Sequence, residues 1–386
     1  MLEKEEASGR IFGLDLMRAI AILIVMYMHS MFVLPVSVQR IFNLPLPAMD
    51  GVSVFFVLSG FLIGGILLRI LEEQNFGPRE IFQFWIRRWF RTLPNYVLIL
   101  TLVLVLCYAL GRSTDEFTWT YYIFSQNLVV PHPEFFFPEA WSLSVEEWFY
   151  LLLPVLIFAC SFLFKERKNA VLFVAITILV LPLVLRMQQY YLDPEDKKLP
   201  DMLRKIVIYR LDSLMYGVIM AYLFRYKKEF CIKYKDWGLG LSLAIVFMMT
   251  VNMRFLSNGI YYRAVWQPSF EPLAGMLALP FLASWRSTRW KYLGMPVRFV
   301  STVSYSMYLL NLTLVQLILL PILTGEMSRA LDQQPPLGIA FVRFGLFWAI
   351  TFVLSWVLFR YFERPMRDLR DRFPLNAREK VPHRKQ

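Results

Sequence analysis

His29 lies in a long apolar stretch, with ten residues between it and Arg18. A neutral imidazole titrates near neutrality and can take the proton of a hydroxyl as that hydroxyl attacks an acyl carbon. The plainer reading is a polar residue satisfied near a membrane interface. Arg18 has a plain reading too: it pairs with Asp15, or its chain extends to the nearer interface. Glu146 and Glu147 form a second candidate group, inside the apolar segment that opens at Trp141 and Ser142. Carboxylates are costly in lipid unless they are paired or face a cavity. One of them could orient His29 or hold a substrate hydroxyl; a salt bridge to Arg210 is the competing use. Arg88 and Arg91 are three apart, on one face of a helical turn. Guanidinium groups so placed could grip phosphates, or simply anchor a helix at a charged interface. Arg210 and Asp212 open another apolar run and add to the polar set.

These residues need long apolar elements to position them. The chain has 386 residues, 57% hydrophobic and 18% charged, with a mean hydropathy of +0.48. Soluble domains carry about a quarter charged residues, so the profile is that of a polytopic membrane protein. A spanning helix needs about 20 mostly apolar residues. Ten candidates are expected, at 12–34, 50–69, 94–111, 141–164, 170–187, 208–226, 238–253, 272–285, 302–323 and 338–361. The eighth is short enough to be tilted or re-entrant. The fold class is therefore all-α, a helical bundle in a membrane. Its parts are a segment 1–11, a bundle over 12–361 and a basic tail over 362–386.

Lys and Arg set the orientation. With the N-terminus inside, inner segments hold 28 of these residues and outer loops 10. Both termini are expected on the cytoplasmic side. The net charge of +12 is thereby explained without nucleic acid. At about 1.5 Å per residue, His29 falls in the outer part of the membrane and Arg18 in the inner part. The same reckoning puts Glu146, Arg210 and Asp212 at about the depth of His29.

Other features bear on alternatives. There are three cysteines and no C-x-x-C, so no disulfide framework or metal site is read. The first apolar run lacks a cleavage site and reads as a retained helix. Ser59-Gly60 lacks the nucleophile-elbow pattern. Gly60, Gly64 and Gly65 read as close helix packing, Pro94 as the first residue of the third helix, and Glu363-Arg364-Pro365 as a helix stop. Asn311-Leu312-Thr313 has the form of a glycosylation sequon inside a helix. His132 and His383 are given no role. No internal repeat is seen, which counts against many transporter folds.

Six segments together resemble the acyltransferase-3 family of integral membrane O-acyltransferases. They are Asp15-Leu16-Met17-Arg18 with His29; Gly51 through Leu62; Arg88-x-x-Arg91 before Pro94; Trp141 through Glu147 with Phe149-Tyr150; Ser304 through Leu309; and Glu363-Arg364-Pro365. The resemblance implies a cytoplasmic acyl-CoA donor, most often acetyl-CoA, used as substrate with no permanently bound cofactor. It implies transfer to a hydroxyl of a glycan or lipid-linked precursor, in a bacterial cytoplasmic membrane. It also implies Arg18 and His29 in catalysis, Glu146 as a second catalytic group, and Arg88 and Arg91 near the donor. Asp15, Ser142, Glu147, Arg210, Asp212 and Asn311 are expected as supporting polar residues. Where the family often has a histidine, this chain has Asn311, an amide that cannot act as a base. The chain is expected to lack the appended esterase-like domain of some relatives. The rival readings are a transporter or flippase, and an inactive relative in a glycan-assembly complex.

Overall fold

A computed structural model describes residues 10–41, 49–72, 76–255, 259–288, 290–325 and 336–370. Residues 1–9 of the expected segment 1–11 and residues 371–386 of the expected tail 362–386, His383 among them, lie outside the described residues. Ten long helices follow one another: α1 (Phe12–Met31), α2 (Gly51–Glu72), α3 (Pro78–Ala109), α4 (Ala140–Ser161), α5 (Arg167–Leu192), α6 (Leu211–Tyr226), α7 (Lys235–Phe255), α8 (Gln267–Ser284), α9 (Lys291–Leu310) and α10 (Leu337–Leu358). Among the described residues there is no strand. In lipid a backbone must satisfy its own polar groups, and a helix does so within one segment. Each of the ten expected segments is helical, but among the described residues eight helices are long and apolar enough to cross a membrane. α6 has only 16 residues. α8 carries Gln267, Glu271 and three prolines, Pro268, Pro272 and Pro280.

Two boundaries differ from expectation for a shared reason. α3 starts at Pro78, not Pro94, and runs for 32 residues with Pro94 inside it. The Tyr305 hydroxyl donates to the Thr92 carbonyl (2.8 Å) close to that proline. α10 passes through a π-helical turn, Phe359–Glu363, into Arg364–Arg370, so Pro365 does not stop it. A proline costs one backbone hydrogen bond. Neighbouring helices and local π adjustments make that cost tolerable in an apolar bundle. α9 likewise continues through a π-helical segment, Asn311–Leu319.

The tightest crossing joins α2 to α6. A Cβ on Gly60 would lie 1.9 Å from the Leu214 carbonyl oxygen, and one on Gly217 2.0 Å from that of Val57. Gly64 is close to Val218 and Ala221, whereas Gly65 faces open space and takes no part in the crossing. α1 packs among α2, α8 and α9. α7 turns Trp237, Leu243, Phe247 and Met248 outward, the apolar surface that lipid covers.

The segment between α3 and α4 folds back onto the bundle. Tyr96 donates to the Tyr121 carbonyl (2.9 Å), and Tyr121 to that of Phe136 (2.7 Å). Glu116 accepts the N–H groups of Phe135 and Phe136. His132 is buried there, edge-on to Tyr121. Burial, and then the charge of Lys205, push its pKa down from 6.5 to about 3. An unfolded His132 therefore binds a proton below pH 6.5 that the folded one refuses. The stability of the neutral form is complete above pH 6.5 and is lost as pH falls toward about 3. Replacement by Phe should flatten this limb of a melting-temperature profile. At the helix crossing, Gly60→Val should cost about 3 kcal/mol or more by overpacking, while Gly65→Val should leave the melting temperature nearly unchanged.

Candidate functional site

The polar residues line two cavities. The first, the arginine cavity, is bounded by Arg18, Arg88, Arg91, Glu146, Ser59 and Thr92. The second, the histidine cavity, is bounded by His29, Asp50, Glu139, Arg204, Lys205 and Glu271. Val52 and Tyr308 line both and form the partition. α1 sets their separation. Residues 18 and 29 are about three turns apart, hence on one face and about 16 Å apart along the axis.

His29 meets Asn311 across 282 residues of sequence, Nδ1 to Oδ1 at 2.5 Å. The amide's orientation is decided by its other end. Asn311 Nδ2 donates to the carbonyls of Met307 (2.8 Å) and Tyr308 (2.9 Å). Those oxygens only accept, so the NH₂ must face them and Oδ1 must face His29. Oδ1 in turn accepts, so His29 carries its proton on Nδ1. The imidazole is fixed in the tautomer whose Nε2 has a free lone pair.

α4 braces the partition and supplies part of each wall. Tyr308 shares a hydrogen bond with the Ser142 hydroxyl (2.6 Å) and donates to the Glu139 carbonyl (3.0 Å). The Glu139 carboxylate takes the Thr313 N–H (3.1 Å) and hydroxyl (2.6 Å) within the π-helical segment. π segments often mark functional sites; this one presents both Asn311 and Thr313.

On the other side of the partition, Glu146 is bonded to Ser59 and Tyr150. It lines the arginine cavity and not the histidine cavity. The depth reckoning that paired it with His29 is corrected: the group that reaches the imidazole is the amide of Asn311. Glu147 is buried and accepts from Thr92 (2.6 Å). Arg18 lines the arginine cavity and also has the plain partnership, 3.7 Å from Asp15. Asp15 is held further by Arg10 (2.8 Å) and Ser301 (2.7 Å). Arg88 lies 4.2 Å over the Tyr150 ring. Among the described residues neither Arg88 nor Arg91 has a carboxylate at ion-pair distance.

Arg210 and Asp212 line neither cavity. Arg186 donates to Asp212 (2.7 Å) and Ser269 (2.7 Å), with both members of the ion pair fully buried. Arg210 donates to Ser53 (2.9 Å), and Ser53 to Glu271 (2.6 Å). This network ties α2, α5, α6 and α8 together. The expected salt bridge from Arg210 to Glu146 or Glu147 is not formed among the described residues: Arg210 reaches a different carboxylate, Glu271, through the Ser53 hydroxyl.

Several lining residues were not singled out by sequence reasoning. Ser59 was set aside because it lacks the elbow pattern. Tyr150 and Tyr308 stood only as members of longer motifs. Asp50, Glu139, Arg204 and Glu271 carried no spacing signal. A carboxylate one residue before an apolar helix, as Asp50 and Glu139 both are, was the available hint.

Apolar helices enclosing buried, cavity-facing ionisable groups define an integral membrane protein with an internal polar site. The profile described as "Acyltransferase domain" matches residues 11–364. The chain belongs to the acyltransferase-3 family. It is 26% identical over 92% of its length to the protein named "Putative O-acetyltransferase SACOL0978" of Staphylococcus aureus strain COL, covering 57% of that protein. It is 23% identical over 95% of its length to "O-acetyltransferase OatA" of S. aureus strain NCTC 8325, covering 58%. The chain thus spans a little over half the length of these relatives. No solved structure matches.

Breaking a buried ion pair leaves an uncompensated charge and costs about 3–5 kcal/mol. Asp212→Ala should therefore lower the melting temperature sharply in detergent, far more than Asp15→Ala at its partly exposed pairing with Arg10.

Proposed function

We propose that this chain moves an acetyl group from a cytoplasmic acyl-CoA to a hydroxyl of a glycan or its lipid-linked precursor. The observation that carries the reading is the His29–Asn311 contact, which presents a basic Nε2 to a cavity. Nε2 takes the acceptor's proton, and the oxygen attacks the thioester carbonyl carbon. The C–S bond breaks, and the imidazolium returns the proton to the departing thiolate. Nδ1–H donates to Asn311 throughout, so charging the ring leaves its orientation intact. An amide in place of the family's usual histidine suffices, because the task is to accept one hydrogen bond.

Arg88 and Arg91, without carboxylate partners, hold the donor's phosphates. Lys and Arg are concentrated in the loops on the side that contains them, which supports a cytoplasmic donor and both termini inside; the likeness to Staphylococcus aureus proteins supports a bacterial cytoplasmic membrane. Arg18 and Glu146 belong to the donor side in this reading. The acyl arm crosses the partition at Val52 and Tyr308 to reach His29. The donor is a substrate and no resident cofactor is needed.

Titration with acetyl-CoA in detergent should raise the melting temperature saturably. A ligand at about 100 times its Kd adds about 2.7 kcal/mol. The rise should vanish in Arg88→Ala/Arg91→Ala and persist in His29→Ala, which should lose transfer of labelled acetyl to cell glycans. Asn311→Leu should keep donor binding and lose about 10- to 100-fold in transfer, the worth of one to two buried hydrogen bonds. Absence of any acyl-CoA effect would move the assignment to solute transport, read as flux in vesicles.

A further inference from the structure

The wall of the histidine cavity holds two cations, Arg204 and Lys205, beside three carboxylates, Asp50, Glu139 and Glu271. Its carboxylates are already engaged. Asp50 takes the Val52 N–H (3.0 Å) and pairs with Arg204 (3.2 Å). Glu271 takes Ser53 and Gln267 (3.0 Å) and feels the charge of Arg210. Glu139 takes Thr313 twice. Lys205 is different. Its side chain is half-buried and lines the cavity, and no carboxylate lies at ion-pair distance from its ammonium among the described residues. Asp201 and Glu134 attract it only from farther away, while Arg204 repels it. Burial, and then Arg204, hold its pKa below the usual lysine range. Arg204 also has capacity to spare. A guanidinium has five N–H donors, and this one makes a single ion pair, to Asp50.

The position is built. Asn127 Nδ2 donates to the Lys205 carbonyl (2.6 Å) and to the Trp141 carbonyl (3.1 Å). That ties the end of the short helix Leu199–Lys205 to the start of α4. The Arg204 guanidinium lies 5.6 Å over the Trp141 ring, which also lines the cavity. A lysine in the last turn of a helix offsets the helix's terminal partial charge. That role leaves the ammonium free, and here the residue lines the cavity of His29.

We propose that Arg204 and Lys205 form an anion subsite and that the acyl acceptor carries a phosphate or carboxylate. The inference rests on the reading of His29 as the base of acyl transfer. The anionic group docks at Lys205 and the free edge of Arg204, and one of the acceptor's hydroxyls then falls to Nε2 of His29. The same chemistry would suit a phospholipid headgroup, so the test must separate the two.

The full chain in neutral-detergent micelles is melted with four probes: N-acetylglucosamine, N-acetylglucosamine 1-phosphate, glucuronic acid and dihexanoyl-phosphatidylglycerol. At least one anionic sugar should raise the melting temperature saturably, with an apparent affinity about tenfold or more above that of N-acetylglucosamine. A charge-assisted hydrogen bond is worth that much. Lys205→Gln should remove about tenfold of this affinity, Lys205→Arg should restore most of it, and acetyl-CoA stabilisation should be unchanged in both. The Arg88→Ala/Arg91→Ala protein should keep the anionic-sugar response, which separates this subsite from the donor's. Equal response to the neutral sugar, no response to either anionic sugar, or a response that survives Lys205→Gln overturns the proposal. A response to phosphatidylglycerol alone assigns the pair to a lipid headgroup and overturns it as well. If acetyl-CoA fails while the anionic sugars bind through Lys205, the acyl-transfer reading falls and the anion subsite stands.

Discussion

A charged side chain inside an apolar helical bundle must find a partner or a cavity. That requirement sorts the buried ionisable groups among the described residues. Arg186 and Asp212 found each other and are sealed completely. Arg210 found Ser53 and, through it, Glu271. Glu363 took the Ser306 hydroxyl (2.6 Å). These groups hold helices in register, and Glu271 among them also lines the histidine cavity. Arg88, Arg91, Glu146, His29 and Lys205 line cavities instead. The chemistry of the molecule lies in this second set.

The cavities are kept apart by a partition that is itself satisfied. Tyr308 is bonded to Ser142 and to the Glu139 carbonyl, and Glu139 is bonded to Thr313. All four residues belong to α4 with its immediate N-terminal neighbour, and to α9 with its π continuation. Tyr308 of the partition, the imidazole's partner Asn311 and the Glu139 carboxylate thus come from one helix pair. α1 measures the distance between the two chambers by rigid helical rise. A donor held at one end and an acceptor at the other need no single open channel. They need only an acyl arm long enough to pass Tyr308.

The glycines at the α2–α6 crossing serve the same end. Backbone contact at Gly60 and Gly217 brings α6 close enough for Arg210, at its start, to reach Ser53 on α2. Ser59, one residue from Gly60, then stands in the arginine cavity bonded to Glu146. Close packing and site geometry are therefore not separable on α2.

The sequence by itself determined the class of protein and the rough place of each helix. Apolar runs of about 20 residues permit one backbone solution in lipid, and all ten runs are helical. It also indicated that Arg18 can pair with Asp15 and that Gly60 and Gly64 pack closely, but left open which of Glu146 and Glu147 faces a cavity. The six motifs in register determined the family. Only the tertiary structure decided which polar groups meet. His29 and Asn311 are 282 residues apart, and Ser53 and Glu271 are 218 apart. Helical periodicity gives each residue a face and a depth but not a neighbour. Depth alone joined Glu146 to His29, and the packing of α4 against α2 turned that carboxylate into the other cavity. The start of α3 and the passage of α10 through Pro365 were likewise hidden, because a proline's effect depends on what its neighbours can satisfy. Arg204 and Lys205 read only as loop charges until Asn127 fastened them beside Trp141.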